Sequence, residues 1–324
     1  MRPLSELVKF RNDLVDRFEQ LSLTEKIGNI IEQLNLTITE NFDVDGFSAH
    51  DNINQAIVDY QKILDQSEFI KNNLKSVIGE IEEKIIGLSA QPELTKKYIN
   101  YLNDVDSTFT FIVDDSIHQL IKDRMSHYGD HRFPGLRLGC GYFGQLDSAA
   151  KNHELSIEYS NSMVANDPLY FVDQNQRSLE LVTNHFNEVY QRRIRLYQDY
   201  TQLPPRQFSF IFSWGLFNYL ELSTIENYLQ VMFNLLRPGG TAMFSYNNCD
   251  IIESARIADM GEMSFVSKRN LTNLLKKIGF DVIASYDLPN TDTLITNISW
   301  LEIRRPGELI TTKLRQVMGT VGRK

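Results

Sequence analysis

Apolar residues in the first part of the chain recur at helical spacing: Leu4, Leu7, Leu14, Phe18 and Leu21 are separated by polar neighbours. This is the pattern of amphipathic helices with one buried stripe. The clearest signal is the series Ile53, Ile57, Tyr60, Leu64, Ser67, Lys71, Leu74, Ile78, Ile81, Ile85 and Leu88, whose gaps alternate between four and three. A sustained 3.5-residue period predicts a coiled-coil-like helix, about 54 Å long over 53–88, packed against a second helix of the same chain or of another. Ser67 and Lys71 interrupt the seam, as polar residues do where register or oligomer state is specified.

Past the transition at SHYGDHRFPG, residues 126–135, short β-prone runs alternate with helical stretches. Strands are predicted at Leu136–Leu138, Leu169–Asp173, Ile194–Tyr197, Phe208–Trp214, Thr241–Tyr246, Phe280–Ser285 and Ile298–Ile303. Helices are predicted at Arg177–Arg193, Ser223–Leu236 and Lys268–Ile278. Such alternation implies a doubly wound α/β unit, a mostly parallel sheet covered on both faces. The expected organisation is a helical domain over 1–125, an α/β domain over 126–308 and a C-terminal tail over 309–324. Ligands of such sheets bind outside the carboxyl ends of the strands, where strand order reverses.

Composition narrows the possibilities. The 324 residues are 42% hydrophobic and 23% charged, with a formal charge of −9, so no basic footprint marks the chain as a nucleic-acid binder. Cys140 and Cys249 are the only cysteines, too few for a disulfide framework and without metal-ligand spacing, so a reducing compartment and no metal site are expected. Charges punctuate MRPLSELVKFRNDLVDRF, and no window has the 18 or so apolar residues of a membrane span, so a cytoplasmic protein is expected.

The chemistry centres on LRLGCGYFGQ, residues 136–145, where Gly139, Gly141 and Gly144 follow an apolar run with G-x-G-x-x-G spacing. Missing side chains there let main-chain amides approach a nucleotide closely, although a tight strand-to-helix turn without a ligand has the same signature. A carboxylate at the end of the second strand is the next requirement, because an acceptor-only group can take hydrogen bonds from both ribose hydroxyls. Asp173 in LYFVDQN meets it, 32 residues past Gly141, which implies an insertion at 150–168. Glu158 is the nearer rival. Asp199, in LYQDYTQLP, ends the following strand and can accept from an adenine amino group or simply be a solvated turn residue.

In order, LGCGYFG, FVDQN, LYQDYTQLP, FSFIFSWGLFNYL and LLRPGG resemble the motifs of class I S-adenosylmethionine-dependent methyltransferases, over residues 134–305. The resemblance implies a seven-stranded sheet with an antiparallel last strand and S-adenosylmethionine as cofactor. The donor would be held by Gly139, Cys140, Gly141, Gly144, Asp173, Asp199 and Trp214. Residues following the fourth and fifth strands would face the acceptor, with Asp250, Tyr246 and Tyr219 as candidate catalytic groups. In LLRPGG, Pro238 blocks helix continuation and Gly239–Gly240 suits a turn. Arg137 stands where the family carries an acidic residue, and the third glycine comes one position late.

Acceptor motifs of nucleic-acid amino and cytosine methylation are absent, which leaves a small-molecule, sugar or protein acceptor. A different reading is a structural subunit, for example a phage virion component, oligomerising through its N-terminal helices. A nicotinamide-dependent dehydrogenase is disfavoured by the late acid and the RPGG turn.

Overall fold

A computed structural model describes residues 3–20, 48–89, 115–140, 150–287 and 299–308. Gly141, Gly144 and the 309–324 tail lie outside the described residues. Two compact units divide at Leu88/Ser89, earlier than the 125/126 boundary that the change of period suggests.

The first unit contains α1, residues 4–20, and α2, Ser48–Ser89. Helix α1 buries Leu4, Val8, Arg11 and Leu14, which share one stripe. On α2 the C-terminal half of the heptad seam is buried, with Ile78, Ile81 and Ile85 at 8%, 6% and 1% exposure. The Lys71 ammonium lies 5.7 Å from the centre of the Phe18 ring, so one polar seam residue meets an aromatic of α1. Val58, Ile63, Phe69 and Ile70, off the seam, are exposed.

The second unit opens with α3, Asp115–His127, and continues with β1, Gly135–Leu138; α4, Ala150–Ser162; and β2, Leu169–Val172. Next come α5, Gln176–His185; α6, Glu188–Gln191; β3, Ile194–Tyr197; and β4, Phe208–Ser213. The last elements are α7, Leu222–Leu235; β5, Leu236–Tyr246; α8, Ile252–Asp259; α9, Lys268–Ile278; β6, Asp281–Asp287; and β7, Ser299–Arg304. The strands form one seven-stranded sheet in the order β3-β2-β1-β4-β5-β7-β6. The pairs from β3 through β5 are parallel, and β7 runs antiparallel to both β5 and β6. This is the doubly wound sheet with an antiparallel last strand that the alternation and the motif order imply.

Central strands β1 and β4 are buried throughout, as their apolar character requires, whereas β3 and β6 at the two edges are partly exposed. In-register neighbours place Arg137, Phe212, Met243 and Glu302 on one face. Helices α3 and α4 cover that face: Ile121 and Met125 of α3 and Tyr159 of α4 join the core. Buried Glu302 fastens α3 to the sheet, accepting from Arg124 Nη2 at 2.6 Å and Nε at 3.0 Å and from the Tyr128 hydroxyl. On α7, Ile225, Leu229, Met232 and Leu235 form a single buried stripe.

Three expectations are corrected. The stretch 150–168 is no insertion: 150–162 is α4, the crossover between β1 and β2. The helix expected at 177–193 breaks after His185, because the Asn187 side chain accepts from the Tyr190 N–H and starts a separate turn. Strand β5 begins at Leu236, pairing with Phe208, so LRPGG lies within the strand. Gly239 takes the left-handed φ of 77° inside a register irregularity rather than in a turn before the strand.

Candidate functional site

Strand order reverses at β1, whose neighbours are β2 and β4, and the crevice outside their carboxyl ends is the expected ligand position. A cleft of about 390 Å³ lies there, lined by Leu138 and Gly139 from β1, Val172 and Asp173 from β2, and Gln198 and Asp199 from β3. That volume falls within the range of small-molecule sites. Gln174, Tyr200, Thr201, Leu216 and Tyr228 complete the wall.

Gly139 supplies the bend. Its φ is +78°, and a Cβ there would sit 3.3 Å from Cβ of Leu216, so both backbone and space favour glycine. Cys140 follows with its side chain fully buried; burial pushes its thiol pKa up, and its contribution to the site is its main-chain N–H. That N–H donates to Asp173 Oδ2 at 2.5 Å, and the Asn175 N–H donates to Oδ1 at 2.8 Å. Asp173 is only 4% exposed.

Asp199 is exposed and caps a short 3₁₀ turn at Tyr200–Gln202, accepting from the Thr201 N–H and hydroxyl, each at 2.8 Å. The Thr201 N–H holds its carboxyl below the usual carboxylate range. Turn residue and cleft residue are therefore both accurate descriptions. Opposite it the Tyr200 and Tyr228 rings meet edge to face at 5.4 Å.

Arg137 does not enter the cleft. Its fully buried guanidinium donates to the Ser156 carbonyl at 2.6 Å, to Ser156 Oγ at 2.5 Å and to the Ser160 hydroxyl, all on α4. Nε lies 3.4 Å from the Gly139 carbonyl, so the arginine supports the bend from behind. Glu158 sits on α4, 2.7 Å from both His118 Nε2 and Lys122 Nζ, and does not line the cleft.

Other nominated residues lie elsewhere. Trp214 is 2% exposed and packs edge to face on Tyr159 at 5.1 Å, a core residue and not a wall of the cleft. Gly215, at φ +83°, turns the chain so that Leu216 takes that place. Tyr219 and Tyr246 are buried at 4% and 0% exposure, and neither lines the cleft. Burial raises the Tyr246 phenol well above its ordinary pKa. Asp250 is partly exposed and stands before α9, with Oδ2 3.4 Å from the Arg269 N–H and from Ser267 Oγ.

Sequence reasoning missed Gln174, Gln198, Tyr200, Thr201, Leu216 and Tyr228. The first four flank Asp173 and Asp199 directly, so the rule that put the acids at strand ends could have included their neighbours. Leu216 and Tyr228 carry no comparable signal.

A methyltransferase domain family model matches residues 144–285. No curated protein sequence matches the chain. Among solved structures, the chain is similar to the N-methyltransferase NodS from Bradyrhizobium japonicum WM9 in complex with S-adenosyl-L-homocysteine, at 13% identity and TM-score 0.46, over 65% of this chain and 98% of that one. It is also similar to geranyl diphosphate C-methyltransferase from Streptomyces coelicolor A3(2), at 11% identity and TM-score 0.45, over 59% and 81%. No described helix is long and apolar enough to cross a membrane. The methyltransferase domain model thus matches the greater part of the α/β unit, whose sheet order is the one that the motif order implies.

Proposed function

We propose that the α/β unit transfers a methyl group from S-adenosylmethionine to a small-molecule, sugar or protein acceptor. The observation that carries this reading is that Gly139, Asp173 and Asp199, from three different strand ends, line one cleft. The cleft fits a nucleoside: a bend without a side chain, a buried carboxylate and an aromatic wall. When bound, the cofactor supplies a methyl group activated by a sulfonium.

The chain's own residues position and exclude. Asp173 accepts from ribose hydroxyls, Asp199 accepts from an exocyclic amine, and Tyr200, Tyr228 and Leu216 cover the apolar faces. Arg137, spent on α4, keeps its positive charge away from the sulfonium. An oxygen or nitrogen acceptor must lose a proton, and Asp250 is the base this reading assigns. Tyr246, its phenol held protonated by burial, serves as a structural hydroxyl, and Tyr219 packs beneath the turn after β4.

Calorimetric titration with S-adenosylmethionine and S-adenosylhomocysteine tests the proposal. Micromolar binding that is lost in Asp173→Ala supports it, and no binding at millimolar donor overturns it. That second result would favour a structural role in an assembly, a reading supported by the exposed Ile63, Phe69 and Ile70 of α2 as an oligomerisation surface.

A further inference from the structure

We propose that His118, oriented by Glu158, binds the methyl acceptor by taking a hydrogen bond from its O–H or N–H group, so that the acceptor is an oxygen or nitrogen compound carrying that hydrogen. This role rests on the methyl-transfer reading above and narrows its substrate class.

Helix α3 runs toward the amino end of β1, and near its own end Arg124 and Tyr128 bond Glu302 of β7. His118 comes about two turns earlier, toward the carboxyl ends of the parallel strands. Its ring meets Tyr159 of α4 at 5.0 Å, and Tyr159 in turn meets Trp214, just past the end of β4, at 5.1 Å and Trp300 of β7 at 6.1 Å. Trp300 stands opposite Ser245, one residue before the end of β5. With a base at Asp199 beyond β3 and a ribose at Asp173 beyond β2, the sheet order carries the rest of a donor past Gly139 of β1 toward β4, where Trp214 stands.

Three buried polar atoms on these neighbouring rings have no hydrogen-bond partner among the described residues: His118 Nδ1, the Tyr159 hydroxyl and Trp300 Nε1. Such atoms are costly to bury, so their gathering around one ring points to a polar ligand. The imidazole is the acceptor among them. Its Nε2 lies 2.7 Å from Glu158 Oε2, to which Lys122 Nζ also donates at 2.7 Å. Hydrogen bonds from Lys122 and His118 hold the Glu158 carboxyl below the usual carboxylate range, so the oxygen accepts and Nε2 carries the proton. In the neutral ring Nδ1 is then a lone pair, on a residue only 9% exposed. Fastening α3 to α4 needs Nε2 and Lys122 alone; Nδ1 is left for a ligand. A buried acceptor discriminates against a ligand with no hydrogen to donate, so an alcohol or amine is selected over an ether or a carbon nucleophile.

Anisole carries a methyl in place of the hydroxyl hydrogen of phenol, so these two are the probes. The full chain with isotope-labelled histidine is titrated with each, with and without S-adenosylhomocysteine, and the ring nitrogens are followed by NMR; the signals missing in His118→Phe identify the residue. The expected result is an Nε2–H ring whose Nδ1 signal shifts saturably with phenol and not with anisole, and phenol affinity about tenfold lower in His118→Phe. Glu158 has a 45% exposed side chain, so Glu158→Gln retains the fold even where His118→Phe does not; it should give a mixture of ring tautomers and weaker phenol binding. With S-adenosylhomocysteine bound, no phenol response at His118, an equal response to anisole, a proton on Nδ1, or phenol binding indifferent to both variants overturns the His118 site alone. Failure of S-adenosylhomocysteine to bind overturns the methyl-transfer reading and the acceptor role with it.

Discussion

Asp173, at the end of β2, accepts a hydrogen bond from the main-chain N–H of Cys140 at 2.5 Å, tying the acid to the bend that follows β1. One carboxylate thus links two walls of the cleft at the carboxyl ends of the strands. Replacing it by Asn keeps the shape, halves the acceptor capacity and removes the charge. Asp173→Asn is expected to weaken S-adenosylhomocysteine binding about 10- to 100-fold, measured by calorimetry. Unchanged affinity would remove Asp173 from the site.

Gly139→Ala tests the bend itself. At φ +78° a side chain is strained, and its Cβ would press on Leu216. The expected loss is about 1–2 kcal/mol of stability in urea unfolding, together with impaired donor binding. A variant as stable as the parent would mean that the bend relaxes freely.

Glu302→Gln tests the anchoring of α3. The carboxylate is fully buried and Arg124 is about one-third exposed, so breaking the pair is expected to cost about 3 kcal/mol, the lower end for buried pairs. The sign of the pH effect follows from the balance around Glu302. Burial pushes its carboxyl pKa up, but hydrogen bonds from Arg124, Tyr128 and Tyr286 outweigh burial and hold it below the ordinary glutamate range. A depressed folded-state pKa means that the stabilisation is complete above about pH 5 and is lost as pH falls through the folded value. Unfolding curves from pH 7 to pH 3 should show a steeper acid loss in the parent than in Glu302→Gln.

Ile85 and Phe69 separate the two sides of α2. Ile85 is 1% exposed, and Ile85→Ala is expected to cost about 2–4 kcal/mol. Phe69 is 67% exposed, and Phe69→Ser should stay within about 0.5 kcal/mol of the parent. Urea unfolding monitored by circular dichroism compares them, and equal effects would contradict the buried seam.

Much of this architecture was readable from apolar periodicity, since β4 and α7 carry their burial in their spelling: FSFIFS is continuous, and Ile225, Leu229 and Met232 share a stripe. Helix α4 was not readable. AKNHELSIEYSNS holds three serines and two asparagines, weak helix formers, and it becomes a crossover helix because Tyr159 packs in the core and Ser156 and Ser160 accept from Arg137. The two acids of the cleft followed from strand-end position alone. Trp214 misled, because an aromatic at a strand end reads the same whether it lines a ligand or, as here, packs under a helix. Only the side on which it emerges decides, and strand boundaries uncertain by one residue reverse that side.

Strand β3, which delivers Asp199, is one of the two edge strands of the sheet and leans on β2 through a four-residue ladder. The wall that would contact a base is thus a margin paired on one side only. A nucleoside spanning Asp173 and Asp199 would act as a clasp on that margin, so amide protons of residues 194–197 should exchange with deuterium more slowly once the clasp is closed.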